Sequence, residues 1–237
     1  MTPRGWQELV ETITAASAPV GFDLVHPFTV DWYNRAVATS DRLADFGSPG
    51  SLGVLLGNTG ALWPVFTERL RREPALAKLE HPLDSYVQSS VATVTAELTP
   101  LRSITYFGHT TEPRPLPIQR LSELVGFAAV APSHLAIHPL HGPWIALRAV
   151  LVLDLPGPTG EPPAPARPCP SCAKPCMPAF ERALEASGVP LGAQAIARNA
   201  RAWIAVRDAC PIGQASRYDA AQLRYYYQND RAALQGS

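Results

Sequence analysis

All four cysteines of this chain fall in its last third, as Cys169-Pro-Ser-Cys172-Ala-Lys-Pro-Cys176 and a remote Cys210-Pro211. Clustered thiols in a chain that shows no export signal point to metal or redox chemistry rather than to structural disulfides. Four thiolates suffice for one 4Fe-4S cluster. Zinc usually prefers two C-x2-C pairs, and only one is present. Unligated thiols are the third option, so Cys169, Cys172, Cys176 and Cys210 stand as a candidate ligand set with the metal left open.

Two arginines sit where charge is expensive. In the apolar run Trp144 to Leu153, strand alternation places Trp144, Ala146, Arg148, Val150 and Val152 on one face. A guanidinium in that row must meet a carboxylate of the protein or an anionic ligand, because burying it alone costs several kcal/mol. Ile196, Ala200, Trp203 and Arg207 fall at i, i+4, i+7 and i+11, so a second arginine ends an apolar helical stripe. Arg207 has a plain alternative in compensating the helix C-terminal dipole or pairing with Asp208. Two such arginines favour an anion pocket more than either alone. His138 and His141, three apart in extended backbone around Pro139 and Pro143, are poor candidates for a helical metal pair, which prefers i, i+4 spacing. They better suit shaping a pocket. Asn58-Thr59-Gly60 after a strand offers a helix N-terminus for phosphate but lacks a glycine fingerprint.

The elements that must position these residues follow from periodicity. Trp6, Leu9, Val10 and Ile13 predict an opening amphipathic helix, and Phe22 to Trp32 an extended segment. Ser51 to Leu56 reads as a buried strand, with Asn58 or Thr59 capping a helix to about Arg72. A helix near Leu83 to Leu98, a strand at Ser103 to Phe107 and a helix at about Ile118 to Val130 come next. The near-continuous hydrophobicity of Trp144 to Leu153 predicts a central strand buried on both faces. Pro156 to Pro178 is proline-rich and can be neither regular helix nor central strand. A helical region over Phe180 to Asp208 and a tyrosine-rich tail close the chain; Arg224-Tyr-Tyr-Tyr-Gln228 reads as the packing face of a last helix ahead of an aromatic platform. Mixed elements without a strict repeat give an α+β class. The expected division is 1–155 as a core, 156–178 as a loop or metal knuckle, and 179–237 as a helical part packing on the same domain.

A chain of 237 residues with 46% hydrophobic and 17% charged residues can bury a sizeable core. Twenty basic and twenty acidic side chains cancel without long blocks, which excludes a general electrostatic grip on nucleic acid. No apolar run approaches the roughly 20 residues that span a bilayer, and the N-terminal residues mix charge with helical apolar spacing rather than forming a signal stretch. A cytoplasmic protein without a membrane partner is expected.

The entry segment Pro19-Val-Gly-Phe-Asp-Leu-Val-His-Pro-Phe-Thr-Val-Asp-Trp-Tyr-Asn34 resembles the Gly-Phe…Pro-Phe…Trp-Tyr-Asn element of the CblC (MMACHC-type) cobalamin-processing family. Ile137-His-Pro…Gly142-Pro-Trp-Ile-Ala-Leu-Arg148 is similar to that family's Ile-His-Pro…Gly-x-Trp-x-Ala-x-Arg stretch, and Arg207-Asp-Ala with Arg217-Tyr218 to its C-terminal part. The resemblance covers most of Pro19 to Leu234, with a gap in the proline-cysteine stretch. It implies a flavin-nitroreductase-like α+β sandwich, here with a Pro/Cys-rich insertion of metal-binding type, that holds cobalamin base-off. It also implies dealkylation with glutathione as nucleophile, or decyanation with electrons from reduced FMN or FAD, and a trafficking partner or flavin reductase. The family's glutathione-binding arginines match Arg148, Arg207 and Arg231; guanidinium forks suit the two carboxylates of that tripeptide. Its cobalamin-binding region matches His109 and Gln119, with Ile137, His138 and Trp144 in the second stretch. His134 and Ala136 stand where better-known members have a small residue and a cysteine.

The cysteine spacing resembles, without matching, the ferredoxin pattern C-x2-C-x2-C-x3-C-P. Epoxyqueuosine reductases and reductive dehalogenases are similar in joining a CblC-like domain to iron-sulfur cysteines, although their second cysteine set is missing here. Three functions follow as expectations: a cobalamin-processing enzyme, a cobalamin-dependent iron-sulfur reductase, and a non-catalytic corrinoid chaperone or zinc-stabilised interaction protein.

Overall fold

The computed structural model describes residues 5–110, 114–189 and 191–234. The chain has an α+β architecture and divides into two compact units, residues 1–127 with 146–165, and residues 128–145 with 166–237. These divisions cross the boundaries that composition suggests at 155 and 178. Residues 128–145 belong to the second unit, where Leu135 packs on Ala179, Ala183 and Val206 and Trp144 on Tyr218 and Leu223; 156–165 belong to the first, where Trp32 holds Gly160.

The first unit carries α1 (Trp6–Ser17), β1 (Leu24–Thr29), α2 (Val30–Asn34), β2 (Ser51–Asn58), α3 (Leu62–Arg72), α4 (Pro74–Ala77), α5 (Pro82–Ala96), β3 (Ser103–Phe107) and α6 (Ile118–Leu124). Strands β4 (Ala129–Val130) and β5 (Ala136–Ile137) belong to the second unit, and β6 (Ala146–Pro156) returns to the first. The four long strands form one antiparallel sheet in the order β1-β2-β6-β3. Central position explains the composition: every residue of β2 is buried, and Ala149 to Leu153 of β6 are buried on both faces. Leu9 and Ile13 of α1, Phe66 and Leu70 of α3, and Tyr86, Val87 and Val94 of α5 complete this core, each large side chain contributing about 1.5–3 kcal/mol. Trp32 donates its indole N–H to the Gly160 carbonyl at 2.8 Å, and Arg35 pairs with Glu161, which ties down the start of the proline-rich stretch.

Several expectations need correction. The extended segment predicted to Trp32 ends at Thr29, where the chain turns into α2. The helix predicted from Ile118 to Val130 stops at Leu124, and Ala129–Val130 is a strand. The apolar run predicted as a strand from Trp144 begins its pairing only at Ala146, and it continues past Leu153 to Pro156. Alternation also fails around Arg148. Leu56 pairs with Ala149 and Gly57 with Leu147, so Arg148 is the extra residue of a β-bulge.

The second unit holds the β4-β5 hairpin, α7 (Cys176–Ser187), α8 (Ala193–Arg198), α9 (Ala200–Asp208) and α10 (Ala220–Gln228). Helices α7 and α9 pack through small residues, with Ala179 and Ala183 buried against Val206 and flanked by Leu135, Phe180 and Trp203. The helical region expected over Phe180 to Asp208 is built of three helices, and the stripe read from Ile196 to Arg207 is interrupted. Asn199 breaks it: its side-chain amide donates to the carbonyls of Ala186 and Ala195, and its backbone leaves helical geometry at φ −108°, ψ 27°. Ile196 is therefore not on the same helix as Ala200, Trp203 and Arg207. Asp219 starts α10 by accepting the Gln222 N–H at 2.7 Å, a conventional N-cap. Among the described residues no helix is long and apolar enough to cross a membrane.

Candidate functional site

Arg207 lies in the last turn of α9, half-buried. Its Nε–H donates to the Tyr227 hydroxyl at 2.7 Å and its Nη1–H to the Pro143 carbonyl. Its guanidinium stands over two rings, 5.8 Å from the centroid of Trp144 and 6.0 Å from that of Tyr218. All of these partners are neutral, and among the described residues no carboxylate pairs with Arg207. Asp208, the adjacent acid, is engaged by Arg217 through Nε at 2.6 Å and Nη2 at 3.0 Å. That carboxylate pairing raises the Arg217 pKa, and the same guanidinium lies 5.5 Å from the Trp144 ring.

The aromatic setting is built by the tyrosine-rich tail, which packs. Trp144, Tyr218 and Leu223 form a buried cluster with Ile204, Tyr226 and Tyr227 against it. Trp144 and Tyr218 meet edge to face at 5.4 Å, and Tyr218 and Tyr226 at 5.5 Å. Trp144 is fully buried, and its indole N–H has no hydrogen-bond partner among the described residues. An orphaned buried donor costs about 1–3 kcal/mol, so this one is a place where a ligand acceptor would be rewarded. Arg231 lies exposed in the 3-10 segment Arg231–Leu234.

In the first unit, Arg148 donates Nε–H to the fully buried Asn58 side-chain oxygen at 2.7 Å, while its carbonyl accepts the Gly108 N–H at 2.8 Å. The bulge explains how a half-buried cation fits a sheet centre. The phosphate site considered at Asn58-Thr59-Gly60 is already filled by the protein: Asp23 accepts from the Thr59 N–H at 2.8 Å and the Thr59 hydroxyl at 2.5 Å. Thr59 in turn accepts the Ala61 N–H, although α3 begins only at Leu62. His109 accepts from the Gln88 amide at 3.1 Å and lies 3.8 Å from Asp84. Gln119 is exposed on α6.

The histidines of the second unit are structural in their visible contacts. His138 Nδ1 accepts the N–H groups of Leu140 and His141 at 3.3 Å, and the two imidazoles stack at 4.9 Å. His141 shares a hydrogen bond with Ser216 at 2.8 Å. His134 occupies a left-handed position, φ 60°, in the hairpin turn and sits 5.7 Å from the Phe180 ring. Ile137 is buried. The loop after His138 meets the segment after Cys210 backbone to backbone, which requires Gly142 at φ 55° and Gly213 at φ 74°. A Cβ on Gly142 would overlap the Ile212 carbonyl, and one on Gly213 the His141 carbonyl.

Cys210 lies two residues before Ile212 in that segment. Cys169, Cys172, Cys176 and Cys210 all line one pocket of about 200 Å³, together with Ser133, Ile137, Val206 and Ile212. All four are free and half-buried. Burial pushes the Cys169 thiol up, with its three neighbours adding to the rise; burial likewise raises Cys210, against a backbone hydrogen bond from Ile212. Lys174, at φ 55°, donates its backbone N–H to the Cys172 sulfur at 3.3 Å. Among the described residues no three His, Cys, Asp or Glu side chains are arranged to hold a single metal ion. Sequence spacing brings out these four cysteines but not Ser133, whose burial in the hairpin turn has no signature in one sequence.

No family model and no curated protein matches the chain. Solved structures do. The B12-trafficking protein CblC of C. elegans, a human MMACHC homologue, superposes with a TM-score of 0.68 at 18% identity over 97% of this chain and 95% of its own. A selenomethionine-labelled epoxyqueuosine reductase matches with a TM-score of 0.50 at 12% identity, over 91% of this chain and 68% of its own. The Bacillus subtilis epoxyqueuosine reductase matches with the same TM-score at 13% identity, over 90% and 68%. The chain thus resembles CblC in fold along nearly its whole length.

Proposed function

We propose that this chain binds a corrinoid and removes its upper axial ligand, with an anionic thiol such as glutathione or a reduced flavin as co-substrate. The observation that carries the reading is Arg207, a half-buried cation held by neutral acceptors, next to the orphaned Trp144 N–H. A cation positioned without a carboxylate of its own is prepared for a ligand carboxylate. The length of the fold likeness to a B12-trafficking CblC supports a corrinoid as the second ligand.

In this reading Arg207 and Arg231, in the second unit, and Arg148, in the first, each serve as donors to ligand anions. His109, Gln119, His134, Ile137, His138 and Trp144 contribute to corrinoid binding. The thiolate sulfur attacks the alkyl carbon; the sulfur–carbon bond forms, the cobalt–carbon bond breaks, and its electron pair stays on cobalt. The residues of this chain bind and orient, and none is the nucleophile. A nitroreductase-like sandwich, a cytoplasmic setting and a trafficking partner or flavin reductase belong to the same proposal. Methylcobalamin is mixed with the protein and absorbance followed with and without glutathione. Band shifts on mixing and loss of the alkylcobalt spectrum with thiol are expected; an unchanged spectrum in both arms refutes the reading.

A further inference from the structure

The thiol pocket plays no part in the displacement chemistry above, yet it is built. Cys176 opens α7, Cys210 follows α9, and Cys169 opens a short 3-10 turn that Cys172 ends, so three separate elements deliver the four sulfurs to one hollow. The Cys172 sulfur already receives a backbone N–H, that of Lys174 two residues on, at 3.3 Å. That contact holds Lys174 in the left-handed region, at φ 55°. Ser133 lines the same hollow; it is 4% exposed, and its buried hydroxyl has no partner among the described residues. Among the described residues no carboxylate or imidazole lines the pocket.

Size decides between the two metals that thiolates favour. A tetrahedral zinc with bonds of about 2.3 Å draws four sulfurs to within about 3.8 Å of one another. The four cysteines instead line a hollow of about 200 Å³, against the roughly 10–15 Å³ that a single water needs on the same measure. A hollow between thiols, rather than a point, is what a cubane of iron and sulfide occupies.

We propose that the pocket is a 4Fe-4S site, with Cys169, Cys172, Cys176 and Cys210 each ligating one iron and the Ser133 hydroxyl donating to a cluster or ligand sulfur. Hydrogen bonds to the sulfurs stabilise the more negative reduced cluster and raise its potential. The site stands on the second unit's own geometry and does not rest on corrinoid binding. A chain that takes up the cluster and ignores corrinoid supports this inference and defeats the proposed function.

The test uses the full chain, purified anaerobically and incubated with ferrous iron and sulfide, and in a parallel arm with zinc alone. About four irons and about four sulfides per chain are expected, with visible absorption that bleaches on dithionite and a paramagnetic signal from the reduced cluster. The Cys172→Ser/Cys210→Ser double variant should lose iron and sulfide together while keeping the circular dichroism of the apo protein. Ser133→Ala should keep the iron and sulfide content and lower the midpoint potential; an unchanged potential removes Ser133 from the site. Tight uptake of one zinc per chain with no iron or sulfide retained overturns the cluster, as does retention of iron in the double variant.

Discussion

Replacing Arg207 by lysine separates anion recognition from structural support. The wild-type guanidinium holds Tyr227 Oη at 2.7 Å and the Pro143 carbonyl, and faces two rings at 5.8 and 6.0 Å. Each hydrogen bond from a charged donor contributes about 1.5–3 kcal/mol, and the ring contacts about 0.5–1 kcal/mol. An ammonium can keep one of the two bonds, so Arg207→Lys should cost about 2 kcal/mol of stability, roughly 4–8 °C in Tm. Loss of a planar fork for a ligand carboxylate should weaken glutathione binding to the corrinoid-loaded protein by about 10–100-fold, or ~1.4–2.8 kcal/mol. Tyr227→Phe is the control. It removes a neutral acceptor, costing about 1–3 kcal/mol of stability, and leaves the charge in place, so thiol affinity should stay within about threefold. Isothermal titration with glutathione and thermal melts of the three proteins give both readings. If Arg207→Lys lowers Tm and leaves thiol affinity unchanged, Arg207 is a strut and the anion-site reasoning is refuted.

Asp23→Ala should lower the urea midpoint by an amount equivalent to about 1–3 kcal/mol, because it strips two acceptor contacts from Thr59 at the β2–α3 junction; no change would mean the junction repacks. Gly142→Ala should destabilise by well over 1 kcal/mol, since it demands a positive φ and overlaps the Ile212 carbonyl; faster amide exchange at residues 138–142 and 211–213 is the readout. Burial lowers the His26 pKa below 6.5, outweighing its hydrogen bond to the Val125 carbonyl at 2.9 Å. The folded state therefore holds neutral His26. The stability tied to that form is complete above the unfolded pKa of about 6.5 and is lost as pH falls through the lowered folded value. His26→Gln should flatten the loss of Tm measured between pH 7.5 and 5; an unaltered pH slope would assign the loss to other groups.

Long elements were legible where burial leaves a pattern, one buried face in α1 and two in β6. Leu9 and Ile13 predict α1, β3 falls on Ser103–Phe107 as read, and the apolarity of β6 marks it as central. The errors have local causes that periodicity does not encode. Thr29 ends β1 early, Asn199 interrupts a helix through side-chain competition for backbone carbonyls, and one inserted residue turns Arg148 out of its expected row. The unit boundaries were hidden for a different reason. Residues 128–145 sit between segments of the first unit in sequence, and their contacts within the second, Leu135 with Val206 and Trp144 with Tyr218, are made with residues far along the chain.

The cysteine spacing and the arginine stripe look like independent motifs in the sequence, but both depend on the last turn of α9. Val206 lines the thiol pocket, while its neighbour Arg207 reaches Tyr227 and the Trp144 ring. The Cys210 N–H donates to the Arg207 carbonyl at 3.0 Å, so the helix end that supplies one sulfur also sets the base of the guanidinium arm. Ile137 from β5 lines the pocket, and the same connection carries on through Gly142 to Trp144. Ordering of the thiols by a bound cluster would therefore restrict the backbone on which the cation and its aromatic platform are mounted. Reciprocity then requires that an anion held by Arg207 strengthen or weaken cluster retention by the same factor as the cluster changes anion affinity. Two motifs spaced tens of residues apart become one mechanical unit because the chain returns twice to a single helix end.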